Sequence, residues 1–296
     1  MGGTGKTPMV IKIGKYFIDK NLKVAVISRG YKGKIGYGLN VISDGKALLL
    51  KPPLAADEPY LIANKLPTAY VVTCKDRNLA YNYISEHYHP DIILLDDAFQ
   101  HRRIKRDLDI LLLDYNNPIS TGFIFPFGYL REFPSAIQRG DIIVFTKVPE
   151  GDIKIPLNVK KYIRGKDIFF SRTKIVGVFL GEEMIGKDLK FFSFSGIANN
   201  RSFFLMLIKN GYNIVGNKGF RDHHSYQDRD FLELKRYLTN SKADLLITTE
   251  KDYVKLDDNI KKFTAVVRIE FEIDREEDFF ELIISKIDLK NSLHFF

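Results

Sequence analysis

The stretch GGTGKTP (residues 2–8) decides the fold class, because it ends a phosphate-binding loop. In the pattern G-x-x-x-x-G-K-[ST], backbone N–H groups freed by glycines surround phosphates at the N-terminus of a helix. The lysine reaches the outer phosphates and the threonine hydroxyl meets Mg²⁺. An amphipathic helix is predicted over 6–20. The sequence therefore predicts a nucleotide-binding loop formed by Gly2, Gly3, Thr4, Gly5, Lys6 and Thr7.

The strand that should lead into this loop is not in the sequence, since the first position of the pattern would precede Met1. Without it, neighbouring strands of a parallel sheet would have unpaired backbone groups, each costing about 1–3 kcal/mol. We therefore expect Met1 to be an internal position of a longer natural protein. The preceding segment should hold a β-rich apolar strand that runs directly into Met1.

Short apolar runs alternate with amphipathic segments along the chain, which is typical of a mostly parallel α/β sheet. The runs at 23–28, 69–73, 91–96, 109–114 and 141–146 are nearly continuously apolar, which predicts strands buried on both faces. A second α/β set follows from 182. We predict a P-loop NTPase-like core over 1–166, an extended linker over 167–181 and a smaller α/β lobe over 182–296, whose C-terminal helix can return to the core.

Two carboxylates follow the predicted strand in DIILLDDAFQH (91–101). Acids placed there lie at the carboxyl edge of a parallel sheet, where such folds bind ligands. Asp96 and Asp97 are therefore candidate Mg²⁺ ligands together with Thr7; the alternative is a helix cap and a solvated acid. His101 and Arg102, which follow, could meet phosphate or be ordinary surface residues.

Three further stretches carry candidate residues. Arg29 in SRGY (28–31) follows a strand and is a candidate anion clamp. Asp57 precedes Pro59 in DEP, and from sequence alone the favoured interpretation of Asp57 is a helix N-cap. In RDHH (221–224) two histidines are adjacent, but no ligand spacing for zinc surrounds them. Residues 115–134, rich in Gly, Pro and aromatics, are predicted to be a functional loop.

Composition and net charge limit the kinds of binding partner and the cellular compartment that we expect for the protein. The chain is 45% hydrophobic and 28% charged, as in soluble globular proteins, and its formal charge of +8 favours an anionic partner or reflects only a solvated basic surface. No apolar run approaches the roughly 18–20 residues of a membrane span, and there is no signal peptide. The single Cys74 fits a reducing compartment.

Together the motifs resemble one family, the tetraacyldisaccharide 4'-kinases of lipid A biosynthesis. The matching stretches, in the family's order, are GGTGKTP (2–8), SRGY (28–31), DEP (57–59), DDAFQHRR (96–103), FGYLRE (127–132), FSGIAN (194–199), FRDHH (220–224) and TTEKD (248–252). Two positions depart from the family pattern: Tyr129 replaces a proline, and Ala98 replaces a glycine that would tolerate a more unusual backbone.

The resemblance implies an ATP- and Mg²⁺-dependent kinase that phosphorylates the 4'-hydroxyl of a tetraacylated glucosamine disaccharide 1-phosphate. It implies a catalytic pair of Asp57 and His223, with Asp57 accepting the hydroxyl proton. Arg131 and Glu132 would shape the disaccharide site, with Arg29, His101 and Arg102 as further candidate substrate contacts. It also implies a peripheral protein on the cytoplasmic face of the inner membrane, with a β hinge between its lobes. We further expect, from the resemblance, an amphipathic or apolar helix before the strand that leads into Met1, where the family docks on the membrane. We expect no nucleic-acid partner and no obligate protein partner.

Two other classes remain alternatives. The first is a switch or partition ATPase that acts through a protein partner; its signature lysine would stand where this chain has Met1. The second is a basic nucleic-acid-binding module with an incidental GKT, which would need a concentrated basic and aromatic stripe. Turnover of ATP that depends on the lipid disaccharide would separate all three.

Overall fold

The protein is described by a computed structural model that covers residues 4–30, 33, 35–36 and 38–287. The chain forms two compact units. Unit 1 consists of residues 1–29, 76–174 and 271–296, and unit 2 consists of residues 30–75 and 175–270. Of these ranges, only the described residues are discussed.

Regular elements alternate along the chain, as the sequence predicts. The helices are α1 (Lys6–Asp19), α2 (Asp57–Lys65), α3 (Arg77–His87), α4 (Asn200–Lys209), α5 (Asp228–Asn240), α6 (Glu250–Tyr253), α7 (Asp258–Lys261) and α8 (Glu276–Lys286). The strands are β1 (Val24–Ser28), β2 (Asn40–Asp44), β3 (Tyr70–Thr73), β4 (Ile92–Leu95), β5 (Ile110–Asp114), β6 (Ile142–Thr146), β7 (Asp167–Leu180), β8 (Glu183–Ile185), β9 (Lys190–Ser195), β10 (Asn213–Gly219), β11 (Leu245–Thr249) and β12 (Thr264–Ile273). Two 3₁₀ turns lie at Pro134–Arg139 and Lys160–Tyr162.

Unit 1 is built on parallel strands. β1 pairs with β4, while β6 pairs with β5 on one side and with the first residues of β7 on the other, all in parallel. Every residue of β1 and β6 is buried, which confirms the prediction of strands covered on both faces. β4 and β5 are mostly half-buried instead, because side chains of both strands line a cavity.

Unit 2 contains a second parallel set, in which β9 pairs with β10 and with β11, and β11 pairs with β12. Phe191, Phe203 and Leu207 form part of its core between β9 and α4. The antiparallel pair of β2 and β3 also belongs to this unit. The α/β class and the mostly parallel pairing predicted from sequence are therefore confirmed, with β2 as an antiparallel element that sequence did not predict.

The units divide the chain differently from the domains predicted from sequence. Residues 30–75, which sequence analysis placed with the phosphate loop, group with unit 2, and residues 271–287, at the chain's end, group with unit 1. β7 begins in unit 1 and ends in unit 2, whereas β12 begins in unit 2 and ends in unit 1. The functional boundaries at 166 and 181 stay a prediction.

None of the helices within the described residues combines the length and the apolar character that crossing a membrane requires.

Candidate active site

The end of the phosphate loop lies at the start of α1 in unit 1. Gly5 precedes the helix with φ of +83°, and a Cβ at Gly5 would come within 2.9 Å of the Phe271 ring, so both conformation and space favour glycine. No acidic side chain occupies the first turn of α1, which leaves Lys6 and the helix N-terminus available to an anion. Gly2 and Gly3 of the predicted loop lie outside the described residues.

The two carboxylates predicted as metal ligands follow directly after β4. Asp96 is buried and accepts a hydrogen bond from Ser28 Oγ at 3.1 Å. Asp97 is partly exposed, and its carboxylate lies 3.7 Å from Lys6 Nζ and 2.9 Å from Arg131 Nη1. Lys6, Asp97 and Arg131, predicted from three separate motifs, are therefore brought together.

The replacement of the family's glycine by Ala98 does not strain the backbone at that position. The left-handed conformation falls on the preceding residue, Asp97, with φ of +51°. Aspartate adopts this region more readily than most residues. Ala98 is buried, so a small side chain fits the site.

The electrostatic environment of Asp97 keeps its carboxyl ionised. Burial would raise the pKa of Asp97, but the charges of Lys6 and Arg131 and the hydrogen bond from Arg131 outweigh it. The pKa therefore lies below its ordinary value of 3.8. An ionised carboxylate is the form that a magnesium ion binds.

The carboxylate and hydroxyl oxygens predicted as ligands fit Mg²⁺ better than a metal ion that is coordinated by protein side chains alone. Among the residues that the structure describes, no three His, Cys, Asp or Glu side chains cluster as metal ligands. Mg²⁺ in nucleotide sites typically takes only one or two carboxylates, with waters and substrate phosphates completing its shell. The predicted ligands Thr7, Asp96 and Asp97 supply oxygen atoms of the kind that Mg²⁺ binds, and their role as ligands stays a prediction.

The other residues that sequence analysis predicted to contact substrate are Glu132, His101, Arg29 and Arg102. Glu132 pairs with Arg139 at 2.6 Å, and the Arg139 guanidinium lies 4.6 Å from the centre of the Phe99 ring. His101 is half-buried, and desolvation, followed by the charges of Arg77 and Arg106, lowers its pKa below 6.5. Arg29 and Arg102 are exposed, and their contact with substrate stays a prediction.

A cavity of about 590 Å³ lies in unit 1. Its polar end includes Lys6, Asp97, Arg131 and Glu132, and its walls include side chains of β4 and β5. The cavity thus joins the predicted nucleotide residues and the predicted substrate residues Arg131 and Glu132.

In unit 2, Asp57 is the first residue of α2, and this corrects the N-cap interpretation. Ala56 occupies the cap position, where no side-chain cap hydrogen bond is made. The Asp57 carboxylate instead lies 3.3 Å from His223 Nδ1 and 3.5 Å from Lys255 Nζ. Because Asp57 is not occupied in capping, its carboxylate is free for chemistry with these partners.

The two adjacent histidines serve different partners. His223 has a left-handed backbone with φ of +60°, and its ring meets Asp57. The ring of His224 meets Asp230 at 3.0 Å and stacks on Phe220. Since the rings diverge, they do not form a joint metal site.

Sequence analysis missed two lysines that enclose the Asp57–His223 pair. Lys251 Nζ lies 3.2 Å from His223 Nε2 and 3.3 Å from Glu58 Oε1. Lys255 is nearly buried and also pairs with the buried Asp252 at 2.8 Å. Lys251 and Lys255 stand four residues apart in and after TTEKD, a spacing that places side chains on one side of a helical turn. This four-residue spacing is the feature of the sequence from which a joint role of the two lysines could have been predicted.

This arrangement fixes the proton of the His223 ring. An ammonium group only donates hydrogen bonds, so His223 Nε2 accepts from Lys251. The ring proton of neutral His223 is then on Nδ1, which donates to Asp57. Burial would raise the pKa of Asp57, but the His223 hydrogen bond and the two lysine charges lower it below 3.8 overall. Asp57 is therefore a carboxylate at neutral pH.

The α/β fold, the phosphate-loop end and the acids after β4 define a P-loop phosphotransferase. The family model described as tetraacyldisaccharide-1-P 4'-kinase matches residues 1–288. The chain belongs to this tetraacyldisaccharide 4'-kinase family, which confirms the resemblance found in the sequence and does not favour the partition ATPase alternative.

Individual relatives agree with the family. A tetraacyldisaccharide 4'-kinase of Desulfotalea psychrophila is 38% identical over 265 residues, covering 87% of this chain and 76% of the relative. A tetraacyldisaccharide 4'-kinase of Pelobacter propionicus is 36% identical over 265 residues, covering 86% of this chain and 71% of the relative. A crystal structure of LpxK from Aquifex aeolicus, described as an "apo" form in complex with ATP, matches with a TM-score of 0.78 and 29% identity, over 97% of this chain and 85% of that one.

Proposed function

We propose that this chain transfers the γ-phosphoryl group of ATP to the 4'-hydroxyl of a tetraacylated glucosamine disaccharide 1-phosphate. The observation that carries the proposal is the contact between His223 and Asp57 beside two lysines. Transfer of a phosphoryl group to a hydroxyl needs a base that accepts the hydroxyl proton, and Asp57 beside His223 can be that base. A switch ATPase transfers the group to water with the help of a protein partner, and its reaction does not require an Asp–His pair here.

Lys6 and the amides of the phosphate loop would hold the β- and γ-phosphates. Arg131 keeps the Asp97 carboxylate in place through a 2.9 Å ion pair, and Ser28 does the same for Asp96 through a hydrogen bond. Thr7, Asp96 and Asp97 would hold Mg²⁺, which neutralises charge on the phosphates when it is bound.

Asp57 would accept the proton of the acceptor hydroxyl on its carboxylate. A carboxylate with a lowered pKa is a weak base, so its effect must come from its position at the acceptor hydroxyl, which the hydrogen bond from His223 would fix. His223 would donate Nδ1–H to Asp57 and so orient it, while Lys251 holds the opposite ring nitrogen.

The acceptor is an anionic lipid, which suits the formal charge of +8. Arg131 and Glu132 would shape the disaccharide site at the polar end of the cavity, and Arg29, His101 and Arg102 are candidate further contacts with the anionic substrate. We place the enzyme peripherally at the anionic cytoplasmic face of the inner membrane, where such a lipid resides, without a nucleic-acid or obligate protein partner.

The proposal is tested by incubating the protein with ATP radiolabelled at the γ-phosphate and with the lipid disaccharide. We expect label in the lipid fraction, dependent on Mg²⁺ and on the acceptor. ATP hydrolysis stimulated by DNA or by a protein, with no labelled lipid, would contradict it.

Replacement of Asp97 by alanine should lower the rate of transfer, and excess Mg²⁺ should restore part of it. The reason is that removing a carboxylate weakens metal binding without removing the other ligands. The measurement is kcat as a function of Mg²⁺ concentration, with Asp19→Ala, an exposed acid on α1, as the matched control. A loss wholly insensitive to Mg²⁺ would show that Asp97 has a different role.

Replacement of Lys251 by methionine should lower kcat by about 10–100-fold, less than loss of the base itself, because His223 Nε2 loses the ammonium group that holds the ring against Asp57. The KM for ATP should be unchanged. The Nε2 chemical shift of the His223 ring should change in the variant, because this nitrogen loses its hydrogen-bond donor. Lys235→Met, an exposed lysine of α5 in the same unit, is the control. Unchanged ring shifts would refute this role for Lys251.

A further inference from the structure

The loop between β5 and β6 carries a group of exposed aromatic side chains. Five aromatic residues within eleven positions are between 61% and 86% exposed: Phe123, Phe125, Phe127, Tyr129 and Phe133. Large apolar side chains are scattered singly on most protein surfaces, and a contiguous exposed group marks an interaction site. We call this group the aromatic loop.

The aromatic loop is held in place by its own backbone. Leu130 N donates to Phe123 O at 3.2 Å, Phe125 N donates to Leu130 O at 3.0 Å, and Gly128 N donates to Ile124 O at 2.9 Å. A Cβ at Gly128 would lie 2.2 Å from Phe123 O, so only glycine permits this close return of the chain. The hydrogen bonds join Phe123 and Phe125 to Leu130, so Phe127 and Tyr129 lie in the turn that these bonds close.

The surface next to the aromatic loop is cationic. Arg131 Nη1 donates to Gln100 Oε1 at 3.4 Å, which places the turn with the exposed Arg102 and Arg103 beside the loop. The two acids at this place are already neutralised, Asp97 by Arg131 and Lys6, and Glu132 by Arg139. The loop therefore combines exposed aromatic rings with unbalanced positive charge.

We propose that the aromatic loop inserts into the interfacial layer of a lipid bilayer that carries anionic headgroups, with Arg102 and Arg103 contacting lipid phosphates. Aromatic rings are favoured at the boundary between headgroups and acyl chains, and basic side chains beside them add attraction to anionic lipid. Binding of this kind increases with the apolar area that is buried and with the charge that is neutralised. The inference rests on exposure, hydrogen bonding and charge in unit 1 and does not depend on the kinase activity.

Vesicle sedimentation with the full chain tests the proposal. The protein should bind vesicles of phosphatidylcholine mixed with phosphatidylglycerol more tightly than vesicles of phosphatidylcholine alone, and added salt should weaken the binding. The double variant F125S/F127S should bind the mixed vesicles about tenfold more weakly or worse, given the apolar area lost. Leu157→Ser is the matched control, since Leu157 is 82% exposed in the same unit and lies outside the loop. Equal binding by F125S/F127S and the wild type, or no binding by the wild type, would overturn the proposal.

A second measurement identifies the inserted residue directly. The sequence contains no tryptophan, so a single introduced indole reports without background. In the Phe127→Trp variant, emission should shift to the blue on addition of mixed vesicles and should be quenched by lipids with brominated acyl chains. In Leu157→Trp neither change should occur.

The same Phe127→Trp variant distinguishes a bilayer from a single lipid molecule. Indole emission that responds to monomeric lipid disaccharide but not to vesicles would assign the loop to the acyl chains of one bound lipid. Emission that responds to neither would exclude contact with lipid, and both results would overturn the proposal.

Discussion

Replacement of Asp57 or His223 by alanine is expected to lower kcat by about 10²–10⁴-fold, the range typical of general acid–base groups. The physical reason is their contact: His223 Nδ1 lies 3.3 Å from Asp57 Oδ2, so loss of either residue removes the oriented base. The two residues act as a unit, and the double variant should therefore be little slower than the slower single variant. The KM for ATP should be unchanged, because a base that acts on the acceptor hydroxyl contributes to the transition state and not to binding of the nucleotide.

Steady-state kinetics on the two single variants and the double variant check this prediction, with Asp258→Ala, whose side chain is 95% exposed, as the control. Asp57→Ala leaves the nearly buried Lys255 without one of its carboxylates, so Asp57→Asn should be measured beside it as a variant of similar shape. Circular dichroism would show whether each variant is folded. Effects that multiply cleanly, or a change only in the KM for ATP, would show that Asp57 and His223 are not a catalytic pair.

Replacement of Lys6 by alanine is the second change with a large expected effect. Lys6 follows Gly5 at the first position of α1, and its ammonium group would contact the phosphoryl group during transfer. Loss of a charge-assisted contact made in the transition state costs about 10²–10³-fold or more in kcat. Transfer of labelled phosphate to lipid should therefore nearly disappear.

The matched control for Lys6→Ala is Lys15→Ala, because Lys15 lies on the same helix and is exposed. Both variants remove one positive charge from α1, so a difference between them isolates the position of Lys6 from the charge of the helix. Near-normal kcat in Lys6→Ala would refute the nucleotide site.

Local sequence patterns predicted most of the helices and strands. The strand that they missed depends on pairing with residues that are distant in the sequence. The continuous apolar runs predicted β1, β3, β4, β5 and β6 to within a residue at each end, because interior strands of a parallel sheet are apolar along their whole length. The antiparallel β2 was missed: its residues Asn40–Asp44 are polar at both ends and pair with β3 across an irregular register. Nothing within such a short segment predicts its partner.

The candidate site shows the same limit. Lys6, Thr7 and the acids after β4 follow from local motifs, since their chemistry requires a loop at the end of a strand. Asp57 and His223 are 166 residues apart, and sequence alone favoured a cap for Asp57 until the family resemblance suggested the pair. Lys251 and Lys255 had a visible spacing, but their contacts with His223 and Asp57 could not be predicted, because those residues lie in the loop before α5 and on α2.

The path of the chain through the two units has a consequence for synthesis on the ribosome. Unit 1 is assembled from three stretches of sequence and unit 2 from two, so the chain passes between units four times. The phosphate-loop helix emerges early, yet its ion pair between Lys12 and Glu276 cannot form until α8 has been translated. Contacts across such separations have a large loop-closure cost and form late. The nascent chain must therefore keep the apolar side of α1, whose Tyr16 stacks on Phe280 of α8, from aggregating through most of translation, a period in which chaperone binding would be of most use.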